Sequence, residues 1–542
     1  MKKTIYILAV LGLGLFSFKA ADDYFEISKN LDIFASAYKE VNTSYVDEVK
    51  PGELIRAAIN GMLKSLDPYT VYYSEAQQED YKYQVTGTYA GVGATIRKVG
   101  ENVVVDAPFS GFPADKAGLR AGDIILTVDG KSMLGKSTSE VTDHLKGKAG
   151  TTLNMKVKRP GAGELSFNVE REQIKRKNVP YAKVIKGNVG YIKLTGFTPG
   201  AANEVKKALV DLKSQGAASI ILDLRGNGGG LLHEAINIVN LFVPKGETVV
   251  VTRGKLKEED RIYKTLNFPV DTEIPLVMFI DGRSASASEI VTGALQDFDR
   301  AVLIGRNSFG KGLVQGTKKL TYNTQMKVTI AKYYLPSGRL IQRLDYGNRV
   351  NGRVRAVADS AKQTFYTRNN RAVVDGEGIQ PDIEIEMSPY TKIAQSIISN
   401  NHAFNYAVNM RNSNVEIPTP IDFNVDEDLY NNFVSYLSDK EYEYETATEL
   451  ALQNLIKKAE AEEMSEHMSK DIVALENAIE IHKDNDLEHH KEELMELLEY
   501  EIASNYYLER GKIESSFDDD PDLKAALDLL SKPQKMNELL GR

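Results

Sequence analysis

The sequence contains no cysteine. Disulfides, thiolate zinc sites, iron–sulfur clusters, a cysteine nucleophile and a lipidated N-terminal cysteine are therefore excluded. Histidine is scarce too, with seven in 542 residues, at positions 144, 233, 402, 467, 482, 489 and 490. A Gly-x-Ser-x-Gly elbow is missing, which disfavours an α/β-hydrolase triad. Beyond the first twenty residues no stretch approaches the roughly 18 apolar residues of a membrane span. Basic residues are in deficit, 67 against 76 acidic ones, for a net charge of −9. Nothing in that balance draws the chain to nucleic acid, and no nucleic-acid partner is expected. Hydrophobic content of 42% and charged content of 26% fit soluble globular domains and exclude a wholly disordered or multi-span protein.

The N-terminus reads as an export signal over residues 1–20. Lys2 and Lys3 form a positive region, Thr4 to Phe18 is almost purely apolar, and Ala20 is a plausible cleavage position. Phe18 is bulky where a signal peptidase prefers a small residue, so an uncleaved segment that anchors the protein to a membrane is the competing outcome. Either way the bulk of the protein is expected outside the cytoplasm, in the periplasm or cell envelope.

At roughly 100–200 residues per domain, the length implies three or four domains. Residues 21–83 read as helical, with three- and four-residue apolar spacing over Tyr24 to Val41 and Leu54 to Leu66, stopped by Asp67-Pro68. Residues 84–173 change to short alternating runs, glycines at 87, 91 and 93, and an Asp129-Gly130 hairpin turn. This is a half-open β domain with one or two helices, one of them Thr138 to Lys146. Residues 174–390 alternate strand and helix, as in an α/β layer with parallel strands. Residues 391–542 return to acidic helical spacing, with Asp518-Asp519-Asp520 and Pro521 marking a loop. The fold class is thus α/β multidomain, with a helical segment at each end.

The most informative stretch is Ser284-Ala-Ser286-Ala-Ser288-Glu289, between an apolar strand and an amphipathic helix. A serine there meets unpaired N–H groups and the positive end of the helix dipole, although serine before a helix is also an ordinary N-cap. A serine hydroxyl needs a base. Among the histidines only His233 falls in the α/β region, and it reads as a partly buried structural residue. Lys311 is the better candidate, because Gly310 and Gly312 flank it just after a buried strand. To act near neutral pH, a lysine must fall from about 10.4 by desolvation worth about 4 kcal/mol. Gln315, four residues on, shares the face of Lys311 if the segment is extended, and its amide oxygen could hold the neutral amine. For an oxyanion hole, the candidate backbone donors are Ala287 at the helix start and Gly228 and Gly229 in Asp223-Leu-Arg225-Gly-Asn-Gly-Gly-Gly230. That glycine run lacks the Gly-Lys-Ser/Thr ending of a nucleotide-binding loop. Which of the three serines would be the nucleophile is not decided by these features.

These segments, with Phe309 to Gly312, resemble the carboxy-terminal processing peptidases, also called tail-specific proteases. That family's nucleophile and lysine are 25 residues apart, which selects Ser286 with Lys311. Leu63 to Tyr73 (LKSLDPYTVYY) resembles the helix and turn before the family's PDZ domain, and Gly378 to Ile383 the end of its catalytic core. The likeness spans about residues 30–390. It implies a PDZ domain over 84–173 inserted before a crotonase-like α/β serine protease core over 174–390. Gly91-Val92-Gly93-Ala94 would be the loop that receives a peptide carboxylate. The implied activity is an exported endopeptidase that recognises the free C-terminal tails of protein substrates and needs neither metal nor cofactor. The alternative is a catalytically silent PDZ-containing scaffold. The helical domain over 391–542 lies outside the resemblance and could serve homo-oligomerisation or adaptor docking.

Overall fold

The computed structural model describes residues 24–77, 81–83, 86–350 and 352–542. The export signal expected over 1–20 lies outside them. No described helix is long and apolar enough to cross a membrane. The chain divides into two compact units, Met1–Ala76 with Gln315–Thr329 and Gln77–Val314 with Ile330–Arg542.

In the first unit, helix α1 covers residues 24–44 and α2 Pro51–Lys64. Both expected helices are present. The second starts earlier than its apolar spacing suggested because Pro51 sits in its first turn, where a missing N–H costs nothing. The Asp67 carboxylate accepts the Tyr69 and Thr70 N–H groups, both at 2.8 Å, turning the chain into β1 (Val71–Tyr73), which pairs antiparallel with residues 325–327.

The second unit opens with the β domain: β2 (Thr88–Gly91), β3 (Ala94–Val99), β4 (Asn102–Pro108), α3 (Pro113–Lys116), β5 (Ile124–Val128), β6 (Lys131–Ser132), α4 (Thr138–Leu145), β7 (Thr152–Arg159), β8 (Gly163–Glu170) and β9 (Glu172–Lys175). Asp129 (φ 49°) and Gly130 (φ 76°) form the expected two-residue turn between β5 and β6; both need a left-handed backbone there. β2 and β9 pair antiparallel and tie together the two ends of the domain. The main sheet runs β3-β4-β5-β7-β8, so β3 is an edge strand, and α4 lies against it.

The α/β layer follows: β10 (Tyr181–Ile185), β11 (Val189–Lys193), α5 (Ala201–Ser214), β12 (Ser219–Asp223), α6 (Leu232–Phe242), β13 (Thr248–Gly254), β14 (Arg261–Lys264), β15 (Leu276–Ile280), α7 (Ala287–Asp297), β16 (Val302–Gly305), β17 (Leu313–Lys319), β18 (Gln325–Tyr334), β19 (Leu344–Val350), β20 (Arg353–Ala356), β21 (Thr364–Tyr366), β22 (Ala372–Val374) and β23 (Ile383–Glu384), except that Gln315–Thr329 of β17 and β18 counts with the first unit. Its sheet has the order β10-β11-β12-β15-β16-β23, parallel from β11 onward. The central strands are continuous apolar runs because both faces are covered. Leu222, Met278 and Leu303 point to the core under α5, α6 and α7. Ile221, Val277, Phe279, Val302 and Ile304 point the other way.

What covers that second face comes from the far end of the chain. The C-terminal region contains α8 (Lys392–Ser399), α9 (His402–Asn412), α10 (Glu427–Leu437), α11 (Ala447–Ala461), α12 (Ser465–Asp484), α13 (Asp486–His489), α14 (Lys491–Glu514), α15 (Pro521–Leu530) and α16 (Pro533–Leu539). Leu523, Ala526 and Leu529 of α15, with Met536 and Leu540, pack on the sheet. Asp520 caps α15 through the Asp522 and Leu523 N–H groups. α8, α9, α10 and α14 build a separate core around Phe433, Leu494 and Leu498. α9 also touches the β domain: Phe404 lies under the Arg97 guanidinium at 4.0 Å and clusters with Val104, Ala121 and Val408.

Within α14, burial pushes Glu499 up to about 7, helped by Asp519, Asp518 and Glu496 and opposed by the Val425 N–H. The unfolded carboxyl ionises near 4.3. Between those two values the folded state holds a proton that the unfolded state has lost, so this group's contribution is full below about pH 4 and is lost as pH rises through 7. Glu499→Gln is therefore expected to raise the melting temperature at pH 8 by about 2–4 °C and to leave it unchanged at pH 4. Scanning calorimetry at the two pH values checks this; an equal shift at both would contradict it.

Candidate active site

Three loops meet at the carboxyl edge of neighbouring strands. They follow β12 (224–231), β15 (281–286) and β16 (306–312). In an open parallel sheet this edge is where side chains from loops distant in sequence converge. The first two loops are stitched together. Gly226 N–H donates to Asp281 Oδ1 at 2.9 Å, and Ala285 N–H donates to the Asn227 carbonyl at 3.1 Å.

The three serines have different surroundings. Ser284 is fully buried and its hydroxyl donates to the Leu224 carbonyl at 2.9 Å. Ser288 is equally buried and donates to the Asn227 carbonyl at 2.8 Å. Both pin the glycine loop. Ser286 between them is only half-buried, and its backbone is unusual, with φ 58° and ψ −111°. A non-glycine residue in that conformation costs on the order of 1–3 kcal/mol and needs surroundings that enforce it.

Glu289 supplies much of that enforcement, and the sequence reading gave it no role. Its carboxylate is fully buried. One oxygen accepts from Ser286 N–H at 2.7 Å and Lys311 N–H at 3.0 Å; the other accepts from Ser308 Oγ at 2.6 Å and Gly310 N–H at 2.7 Å. Burial raises the Glu289 carboxyl above its usual range, and these four donors oppose the rise. A second bridge comes from Tyr333, whose hydroxyl lies 2.6 Å from the Lys311 carbonyl and 3.3 Å from that of Ser286. Two groups thus hold the backbones of Ser286 and Lys311 beside each other, with their nitrogens within about 6 Å. A glutamate three residues after a helix-capping serine is a recognisable pattern. Its partners in the lysine loop, 19–22 residues away, are not.

Gly229 fits tightly under the serine, since a Cβ there would lie 2.5 Å from the Ala285 carbonyl oxygen and 3.0 Å from Ser286 Cβ. Its own N–H donates to Asn227 Oδ1 at 2.9 Å, so the expected oxyanion donor is engaged within its loop. Among the described residues no acceptor is found for the N–H groups of Gly228 and Ala287. His233 departs from expectation: its side chain is 65% exposed, beside Glu234, because it lies on the solvent side of α6. Gln315 belongs to the first unit, where it donates to Thr329 Oγ1 at 3.3 Å. In the β domain, Gly91-Val92-Gly93-Ala94 joins β2 to the edge strand β3. Its fold is fixed by Ala114 N–H on the Val92 carbonyl and Phe109 N–H on the Gly93 carbonyl, both at 2.8 Å.

Asp223 and Arg225 have another task than shaping an oxyanion loop. Burial alone would raise Asp223, but Arg225 and Lys193 hold it well below the usual carboxylate range. The Arg225 guanidinium donates to Asp223 at 2.7 Å, to Asp520 at 3.0 Å and to Asp522 at 2.8 Å, and Arg306 reaches Asp522 at 3.0 Å. This network joins the loop after β12 to the start of α15. Arg225→Ala leaves Asp223 and Asp522 buried without their main partner. A loss of about 3–5 kcal/mol is expected, with faster proteolysis of residues beyond 510 in a timed digest.

Four segments of the chain match known protein families. Residues 188–350 match peptidase family S41, 104–159 a PDZ domain, 393–530 the probable PDZ-protease C-terminal helical domain, and 17–77 the activating protease CtpB N-terminal domain. A probable CtpA-like serine protease of Staphylococcus aureus is 34% identical over 378 residues, covering 69% of this chain and 68% of that one. A carboxy-terminal-processing protease of Bartonella bacilliformis is 38% identical over 319 residues, covering 58% of this chain and 73% of its own. A solved photosystem II D1 C-terminal processing protease aligns with 28% identity and a TM-score of 0.36, over 65% of this chain and 92% of that one. The chain belongs to peptidase family S41, as a PDZ-containing serine-type peptidase of the carboxy-terminal processing group.

Proposed function

We propose that Ser286 is the nucleophile and Lys311 its general base, in an exported endopeptidase that takes hold of free C-terminal tails through its PDZ domain. The observation that carries this reading is the shared clamp on the two residues: Glu289 accepts from both N–H groups and Tyr333 lies between both carbonyls. The half-exposure of Ser286, beside two buried and committed serines, supports its selection. Neutral Lys311 takes the serine proton as Oγ attacks the scissile carbonyl. The N–H groups of Ala287 and Gly228 stabilise the oxyanion. The lysine ammonium then protonates the leaving amine, and a water molecule, deprotonated by the same lysine, releases the acyl-enzyme. Gln315, four residues along the chain, is assigned to holding the lysine amine. No step calls on a metal or cofactor. Export rests on Lys2, Lys3 and the apolar run Thr4 to Phe18, and the domain limits 84–173, 174–390 and 391–542 are kept as part of this reading.

Cleavage of a tail peptide by wild type, Ser286→Ala and Lys311→Ala tests the centre; unchanged cleavage by both variants would overturn it. Tail capture has its own test. The edge of β3 that pairs with no strand among the described residues, beside α4, suits an added peptide strand ending at the Gly91–Ala94 loop. Amidating the peptide's C-terminus removes the charge that this loop would receive. Binding to the Ser286→Ala protein is expected to weaken about 10-fold or more, since a hydrogen bond to a charged group contributes about 1.5–3 kcal/mol. Equal affinity for the two peptides, by fluorescence polarisation, would remove the loop from the reading.

A further inference from the structure

We propose that His482, Asp486 and His489 form a structural binding site for a divalent transition-metal ion of zinc type. The site lies where α12 ends and α13 begins, far along the chain from the catalytic loops. The three residues are spaced i, i+4 and i+7, which places them on one face of a helical segment. One ligand atom from each lies within 4.8 Å of the other two. The imidazole rings of His482 and His489 are stacked, with centroids 5.1 Å apart and planes 13° from parallel.

Asp486 is the centre of the cluster and its strongest argument. It is 5% exposed, and its Oδ1 has no hydrogen-bond partner among the described residues. His482 Nδ1 stands 3.0 Å from that oxygen but out of hydrogen-bonding alignment, and His490 Nε2 stands 4.0 Å away. A buried carboxylate oxygen left without a donor is costly. One facing two imidazoles is matched better by a shared cation. The other oxygen, Oδ2, accepts the Tyr444 hydroxyl, an outer partner of the kind that orients metal-bound carboxylates. Two imidazole nitrogens and one carboxylate oxygen suit zinc in particular. The exposed sides of the two histidines leave a fourth position to water.

The location gives the ion a purpose. α12 is 20 residues long and has no buried residue, so its own packing does little to fix its direction. The C-terminal end of α12 carries His482. α13 carries Asp486 and His489 and is anchored by the Tyr430 hydroxyl on the Leu487 carbonyl at 2.5 Å. Tyr444 leads into α11. An ion at this point locks the base of the α11–α12 hairpin onto the helical core. It takes no part in peptide-bond cleavage.

The experiment is isothermal titration of the full chain, free of any histidine tag, with zinc chloride at pH 7.5. One equivalent per chain is expected to bind with micromolar or tighter affinity. The double variant His482→Gln, His489→Gln changes two exposed side chains and should fold normally, with tail-peptide cleavage unaltered. It is expected to bind zinc at least about 100-fold more weakly. Hydrogen exchange over residues 465–490 should slow with zinc in the wild type and not in the variant. Failure of the wild type to bind below about 100 μM, equal binding by the variant, or unchanged exchange on zinc binding would each overturn the proposal.

Discussion

Replacing Ser286 with alanine is expected to lower kcat for tail-peptide cleavage by about 10⁴-fold or more while KM stays within about threefold, because the hydroxyl forms bonds only during the reaction. Lys311→Ala is expected to cost at least the 10²–10⁴-fold typical of a lost general base. The two losses should not add. In the proposed mechanism the serine is a weak nucleophile without the base, and the lysine has no proton to take without the serine, so the double variant should retain the same residual rate as the poorer single one. Neither side chain fills the core, and both variants should melt within a few degrees of the wild type. A double variant slower than either single one by the product of their effects would mean that the two residues act separately.

Replacing Glu289 is expected to damage both stability and rate. Glu289→Ala removes the acceptor for Ser286 N–H, Lys311 N–H, Gly310 N–H and Ser308 Oγ. Each buried donor left unpaired costs about 1–3 kcal/mol, and relaxation or entering water recovers a part, so a net loss of about 3–5 kcal/mol is expected. Glu289→Gln is the sharper test. Either amide orientation turns an NH₂ group toward at least one backbone N–H, since each carboxylate oxygen serves at least one such donor. The Ser286 and Lys311 backbones should then separate, and kcat should fall about 10²–10³-fold with KM little changed. A pH profile separates this positioning role from general destabilisation. Three of the four partners are N–H groups that only donate, so a proton on either oxygen weakens the clamp. Burial raises this carboxyl above its usual range, and protonation weakens the acceptor as pH falls through the raised value. The opposite sign holds for folding: the raised value means that ionisation in the folded state costs stability, so this group's contribution declines as pH rises through the same window. Activity should therefore drop on the acid side while stability from this group grows there. That limb should be absent from the residual activity of Glu289→Gln. An unchanged acid limb in that variant would assign it to another group.

Local patterns that depend on a few neighbouring residues were readable directly. The helices around Phe34 and Ile59 follow from apolar spacing, and the Asp129-Gly130 turn from the one backbone conformation those residues favour. The helix start at Ser286 follows from small polar residues ahead of an apolar face. His233 shows where such reading fails. It sits in an apolar helix start, yet periodicity alone does not say which side of α6 meets the sheet, and the imidazole turned out exposed. β13 is not legible in the sequence either, since its partner β18 lies about 80 residues downstream.

The amino-acid order by itself determined that a serine stands at a helix start, that a lysine stands between glycines after a buried strand, and that the two are 25 residues apart in a family-like pattern. It also determined the absence of thiol chemistry, because no cysteine is available. Only the tertiary structure decided which serine is committed to the scaffold and which is half-open. It also placed one buried glutamate between the two loops, and it gave Asp223 and Arg225 to the docking of α15 across almost 300 residues of chain. The physical reason is that these outcomes depend on burial and on hydrogen-bond partners brought together at the edge of a parallel sheet. Sheet order, unlike local conformation, is not written in any short stretch of sequence.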